Sequence, residues 1–206
     1  MSKALRYTLV GEGFAEYEFI PAYMRWAAQQ IGGLTISRSN IQIAISKNPS
    51  VSKVLQEAAT LCVRSFADER NPSQLFIAGI DLDEPDHTDE QAHHAKRVKE
   101  LERSMGKVYR QYKDVIILYV PVQTIDCWVY YAQTGATANS LESVSKNDTK
   151  AQVYGTSKPD RQRIERTVRE AATKADFVRL AKQSRSFRQF HEQVTTFLNN
   201  YKTTSQ

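Results

Sequence analysis

Leu75, Phe76, Ile77, Ala78, Gly79 and Ile80 form an uninterrupted apolar run between Gln74 and Asp81. The run has the length of a strand, and its lack of alternation means that both faces must be covered. Strands of that kind belong to mostly parallel sheets with helices on either side. Parallel strands need long crossover connections, so the flanking sequence has to supply helices.

It does. Leu5 to Val10 is a second apolar run and stops at Gly11-Glu12-Gly13. Phe19, Ile20, Tyr23, Met24 and Ala27 then recur at helical spacing, up to Gly32-Gly33. Ile36 to Ile45 reads as a strand, and Val51 to Phe66 as a helix between Pro49-Ser50 and Arg70-Asn71-Pro72. After the central run, the pattern predicts a long charged helix over Thr88 to Tyr112 and a buried strand from Asp114 to Val122. A helix over Ile125 to Gln133 and a polar loop from Gly135 to Asp148 follow. Three helices close the chain. The last carries Phe187, Phe190, Val194, Phe197, Leu198 and Tyr201 on one stripe, with Ser186 and Gln189 spaced for a capping box.

The alternation predicts an α/β fold: an open, mostly parallel, Rossmann-like sheet with flanking helices and a basic helical C-terminal part. Residues 1–134 are expected to form the core, and 135–206 a helical extension packed on the same domain. A chain of 206 residues with 41% hydrophobic residues suits one core of ordinary size. No stretch approaches the roughly 20 apolar residues of a membrane span, and the N-terminus lacks a signal-peptide core. Cys62 and Cys127 are the two cysteines, both in apolar helical segments, which points to a reducing compartment and a cytoplasmic location.

Charge is unevenly placed. Lys146 to Arg188 holds 12 Lys or Arg against 5 Asp or Glu, whereas the rest holds 16 against 18. A basic C-terminal third on a weakly acidic body fits a polyanion, and equally a pair of solvated arginine-rich helices.

Functional groups in open α/β sheets collect at the carboxyl ends of strands. Glu12 follows the first strand, and Asp81 and Asp83 close the central one. In extended backbone, residues two apart face the same side, so Asp81 and Asp83 are expected to point together. Carboxylates held close repel, and a hard cation such as Mg²⁺ or Mn²⁺ relieves that repulsion through oxygen ligands. Each piece alone also has a plain explanation as turn or capping chemistry.

Leu9-Val10-Gly11-Glu12-Gly13-Phe14-Ala15-Glu16 resembles the opening motif of Toprim domains, and Ile80-Asp81-Leu82-Asp83 resembles their Asp-x-Asp motif. The similarity is to the small OLD- and RloB-type Toprim nucleases. Pro121-Val122-Gln123-Thr124-Ile125-Asp126-Cys127-Trp128 and Arg185-Ser186-Phe187-Arg188-Gln189-Phe190 resemble later segments of that group. The chain departs from it at Phe14-Ala15, at Asp126 in place of Glu, and in lacking an aligned basic residue for the catalytic lysine. Lys146 and Lys150 are the candidates for that lysine.

The resemblance implies Mg²⁺- or Mn²⁺-dependent phosphodiester hydrolysis, with Glu12, Asp81 and Asp83 as catalytic groups. Glu16 and Asp126 would join those three in binding metal. Lys146, Lys150, Arg161, Arg163, Arg166 and Arg169 are the candidates for contact with a DNA or RNA backbone. The group also implies a setting in a bacterial or phage defence system. The competing reading is a catalytically weak nucleic-acid- or partner-binding subunit acting with an ATPase.

Other chemistries fit less well. Gly11-x-Gly13 lacks the third glycine of a dinucleotide site, and Glu12 would repel a pyrophosphate. Haloacid-dehalogenase-type phosphatases place their Asp pair on the first strand, not the third. Adjacent His93 and His94 diverge by about 100° on a helix, unlike zinc-binding spacing, and are expected to be exposed; His87 lies near the Asp pair. Trp128, Tyr130, Tyr131 and Tyr154 are expected to pack in the core or to stack on bases.

Overall fold

Four parallel strands form one sheet in the order β2-β1-β3-β4: β1 is Leu5–Val10, β2 Ile36–Arg38, β3 Leu75–Gly79 and β4 Ile116–Tyr119. A computed structural model describes residues 4–43, 50–86, 92–134 and 141–204. The fold is an open α/β sheet with helices on both faces.

The alternation of β3 explains its unbroken apolar run. Leu75 and Ile77 face one core and Phe76 and Ala78 the other. The first core is closed by α1 (Phe14–Gln30), α5 (Asp126–Thr134), α7 (Arg161–Lys174), α8 (Phe177–Gln183) and α9 (Arg185–Thr204). The second is closed by α2 (Val51–Phe66) and α3 (Ala92–Met105). The C-terminal helices therefore bury the same apolar face as the sheet, with Phe19, Tyr23, Trp128, Phe177, Phe187 and Phe190 meeting ring to ring.

Several boundaries depart from the sequence reading. The expected strand 36–45 ends at Arg38, because Ser39 turns inward and its Oγ lies 2.7 Å from Thr8 Oγ1. Residues 44–49 lie outside the described segments. The long helix expected to Tyr112 breaks at Gly106, whose φ of 55° places it in left-handed space. A second helix, α4, then runs over Lys107–Tyr112, followed by a 3-10 turn, Lys113–Val115, before β4. Part of the expected polar loop is a further helix, α6 (Lys146–Tyr154), where Ser145 accepts a hydrogen bond from Asp148 N at 3.2 Å. Four described helices, not three, thus follow α5. The start of α9 is capped by Ser184, which accepts from Phe187 N, and not by Ser186.

Ser186 does other work. β4 is an edge strand, and side chains cover its outer backbone groups. Gln193 donates to Leu118 O at 3.0 Å and accepts from Leu118 N, the buried His94 ring lies beside Val120, and Ser186 Oγ accepts from Val122 N. Ser186 Oγ also accepts the buried Trp128 indole N–H at 3.0 Å. Ser186→Ala strands that donor and is expected to cost about 1–3 kcal/mol. A thermal melt should show the midpoint falling by roughly 2–4 °C per kcal/mol lost.

Candidate active site

The strand order creates a switch point between β1 and β3. From β1 the chain crosses outward to β2 and then returns past β1 to β3. The helices leaving these strands diverge there and open a crevice at the carboxyl ends. Glu12 leaves β1 at that place and Asp81 follows β3.

Glu12 Oε1 accepts from Asp81 N at 2.6 Å, which ties the two strand ends together. Asp81, 5% exposed, accepts from Ile125 N at 3.0 Å through Oδ1, and its Oδ2 lies 3.4 Å from Lys146 Nζ. Asp126 opens α5, and its carboxylate accepts from the Tyr154 hydroxyl and, at 3.3 Å, from Thr124 Oγ1. Glu16 is 3% exposed, and among the described residues no other side chain donates a hydrogen bond to it. Glu12, Glu16, Asp81 and Asp126 line one cleft of about 300 Å³, together with Phe14, Thr124, Lys146, Lys150, Tyr154 and Ile164.

Asp83 departs from expectation. β3 has ended by Gly79 and Asp83 adopts a φ of 61°, so no extended backbone aligns it with Asp81. It stands outside the cleft lining, with its side chain 39% exposed. The two aspartates are joined instead through Lys146, which donates to Asp83 Oδ1 at 2.6 Å.

Burial and mutual repulsion dominate the electrostatics. Glu12 is pushed up to about 7, first by desolvation and then by the Asp81 charge. Asp81 rises to about 6, again chiefly by burial, although Lys146 opposes the shift. Burial also raises Asp126, and it carries Glu16 well above the ordinary carboxylate range. Burial works against the Lys146 charge, yet Asp81, Asp83 and Glu12 hold its pKa above the ordinary lysine value.

The remaining candidates separate into two groups. Lys146 and Lys150 stand on the cleft wall, and Arg161 lies over the Phe14 ring at its lip. Arg163 donates to Tyr154 O, Arg169 pairs with Glu18 at 3.2 Å, and Arg166 is exposed on α7. Trp128 and Tyr131 are core residues and Tyr130 is partly buried against them. His87 lies outside the described residues. His93 is exposed and 3.2 Å from Glu84, whereas His94 is buried, contrary to expectation, because its ring covers the sheet edge at Val120.

The Tyr154 hydroxyl, expected in the core or stacked on bases, is bonded to Asp126, and Tyr119, not singled out in the sequence, approaches the β1 end of the cleft. Among the described residues the buried Tyr119 hydroxyl has no hydrogen-bond partner, and a Cβ on Gly11 would stand 2.7 Å from it. The sequence carries no signal for that approach beyond placing Tyr119 near the end of a buried strand.

The donor chemistry of the cleft fits a hard divalent cation, since every candidate ligand is a carboxylate oxygen and the group is short of positive charge. Among the described residues, no three acidic, histidine or cysteine side chains are arranged to hold a metal as they stand. Cation binding would have to draw Glu12, Glu16 and Asp81 together, with Lys146 giving way at Asp81. No protein-family model, curated protein or solved structure matches the chain.

Proposed function

We propose that the chain hydrolyses phosphodiester bonds in nucleic acid with the help of Mg²⁺ or Mn²⁺. The observation that carries this reading is the convergence of Glu12, Glu16, Asp81 and Asp126 on one cleft whose wall bears Lys146 and Lys150. Buried carboxylates facing lysines suit a cation and a polyanion bound side by side. Glu12, Glu16 and Asp81 would hold the cation. When bound, it would polarise the phosphate oxygens and stabilise charge developing on them.

The chain's own groups supply the rest. Lys150, together with Lys146 once displaced from Asp81, would hold a phosphate at the cleft wall. Alternatively, Glu12 would leave the cation to Glu16 and Asp81 and take a proton from water or return one to the leaving oxygen. Water attacks phosphorus, the P–O bond to the leaving oxygen breaks, and that oxygen takes up a proton. Asp126 is held by Tyr154 and Thr124 and would orient the floor of the site. Two buried thiols suit a cytoplasmic, reducing setting.

A second reading rests on Lys146, which pairs with both Asp81 and Asp83 and neutralises part of the cluster. A binding subunit without catalysis would keep that arrangement. Cleavage of DNA and RNA in Mg²⁺ and in Mn²⁺ separates the two. Asp81→Asn and Glu12→Gln are each expected to lower metal-dependent cleavage by at least about 10²-fold. Equal background cleavage in all three proteins, with nucleic-acid binding retained, would overturn the enzyme reading in favour of the binding subunit.

A further inference from the structure

Phe14 is an aromatic residue at the acidic cleft that belongs to neither hydrophobic core. It opens α1 directly after Gly13, a position where the helix itself requires no large apolar side chain. Arg161 of α7 lies over its ring at 4.7 Å from the centroid, and the arginine side chain is 66% exposed. Ile164, one turn along α7, lines the cleft beside it. The lip on this side is thus an aromatic ring, a guanidinium and an aliphatic side chain, while Lys146 and Lys150 also line the cleft.

Three of the carboxylates are among the most buried residues of the cleft. Its volume of about 300 Å³ suits one nucleotide, and Asp81, Glu16 and Asp126 at its floor are 5% exposed or less. In a duplex, each phosphate is held on a convex backbone between paired, stacked neighbours and cannot descend to such a floor. An unpaired nucleotide can turn its phosphate inward and leave its base at the rim. Planar bases stack on aromatic rings and on guanidinium planes with little regard to sequence.

Building on the phosphodiesterase reading, we propose that the substrate is single-stranded nucleic acid. One unpaired base stacks on the Phe14–Arg161 pair while its phosphate faces the carboxylates. Phe14 is then a positioning residue that selects strandedness and not sequence.

The test is equilibrium binding of a short oligonucleotide carrying 2-aminopurine, as a single strand and as a duplex, in Ca²⁺. The single strand is expected to bind at least about tenfold tighter than the duplex, with its 2-aminopurine fluorescence quenched. Phe14→Leu should weaken single-strand binding by about 5- to 100-fold and abolish the quench, and Phe14→Trp should retain both. An unchanged melting midpoint in both variants shows that the fold is intact. Equal affinity for duplex, or a Phe14→Leu protein that binds and quenches like wild type, would overturn the stacking proposal while leaving cleavage through Asp81 standing. Binding of neither form by wild type would overturn the phosphodiesterase reading itself, and the stacking proposal with it.

Discussion

Gly79→Ala is expected to destabilise the sheet strongly, costing about 3 kcal/mol or more. A Cβ at Gly79 would overlap the Tyr119 ring, which lies flat against the glycine on the neighbouring strand. Tyr119 is 2% exposed and packs against Trp128 and Phe190, so the ring has no open space to enter. Its hydroxyl end lies close to Gly11, just before Glu12, so displacement would also disturb the β1 end of the cleft. Chemical denaturation should show the loss in the midpoint without a change in slope. Combining Gly79→Ala with Tyr119→Leu removes the overlap, and the pair is expected to be less destabilised than the sum of the single changes. A Gly79→Ala protein as stable as wild type would show that the close approach of ring and strand is wrong.

The second large effect is on stability against pH. Glu12 and Asp81 have folded pKa values raised to about 7 and about 6, above their ordinary values. The folded state therefore holds protons that the unfolded chain has already released between pH 4 and 7. Stability from this source is fully present below the unfolded pKa values, declines through that window, and is gone above pH 7. Glu16, raised well above the carboxylate range, extends the decline to higher pH. For the metal-free protein, the melting midpoint is expected to fall by on the order of 10 °C between pH 5 and pH 8.

Mg²⁺ or Mn²⁺ should recover much of that loss at pH 8 and little at pH 5, since a cation binds the ionised carboxylates. Glu16→Gln removes one of the buried ionisable groups without changing its shape. It should raise the metal-free midpoint at pH 8 and reduce the shift produced by metal. A midpoint that is flat from pH 5 to 8 and indifferent to either cation would show that Lys146 and Lys150 already satisfy the carboxylates.

Much of this architecture is local in origin. The double-faced apolar run of β3, the glycines that end β1 at Glu12, and the helical periodicity of α2 are set by neighbours within a few residues. α2 begins at Val51 and ends at Phe66, as its boundary residues predict. The C-terminal helices are basic outside and aromatic inside, and the inner stripe alone shows that they need a sheet to cover. Boundaries moved where a distant partner or a single backbone angle intervened, as at Ser39 against Thr8 and at Gly106.

What the sequence by itself determined is that two acidic groups stand at the ends of buried parallel strands. The reason is that strand ends and side-chain periodicity follow from short-range sterics and hydrophobic pattern. Only the tertiary structure decided that β1 and β3 are adjacent, and that Glu12 reaches Asp81 across 69 residues of chain. It likewise placed Lys146 between Asp81 and Asp83, Tyr154 on Asp126, and Arg161 over Phe14. Those partners come from α6 and α7, and their positions depend on how these helices pack against α1 and α5, which no local pattern encodes.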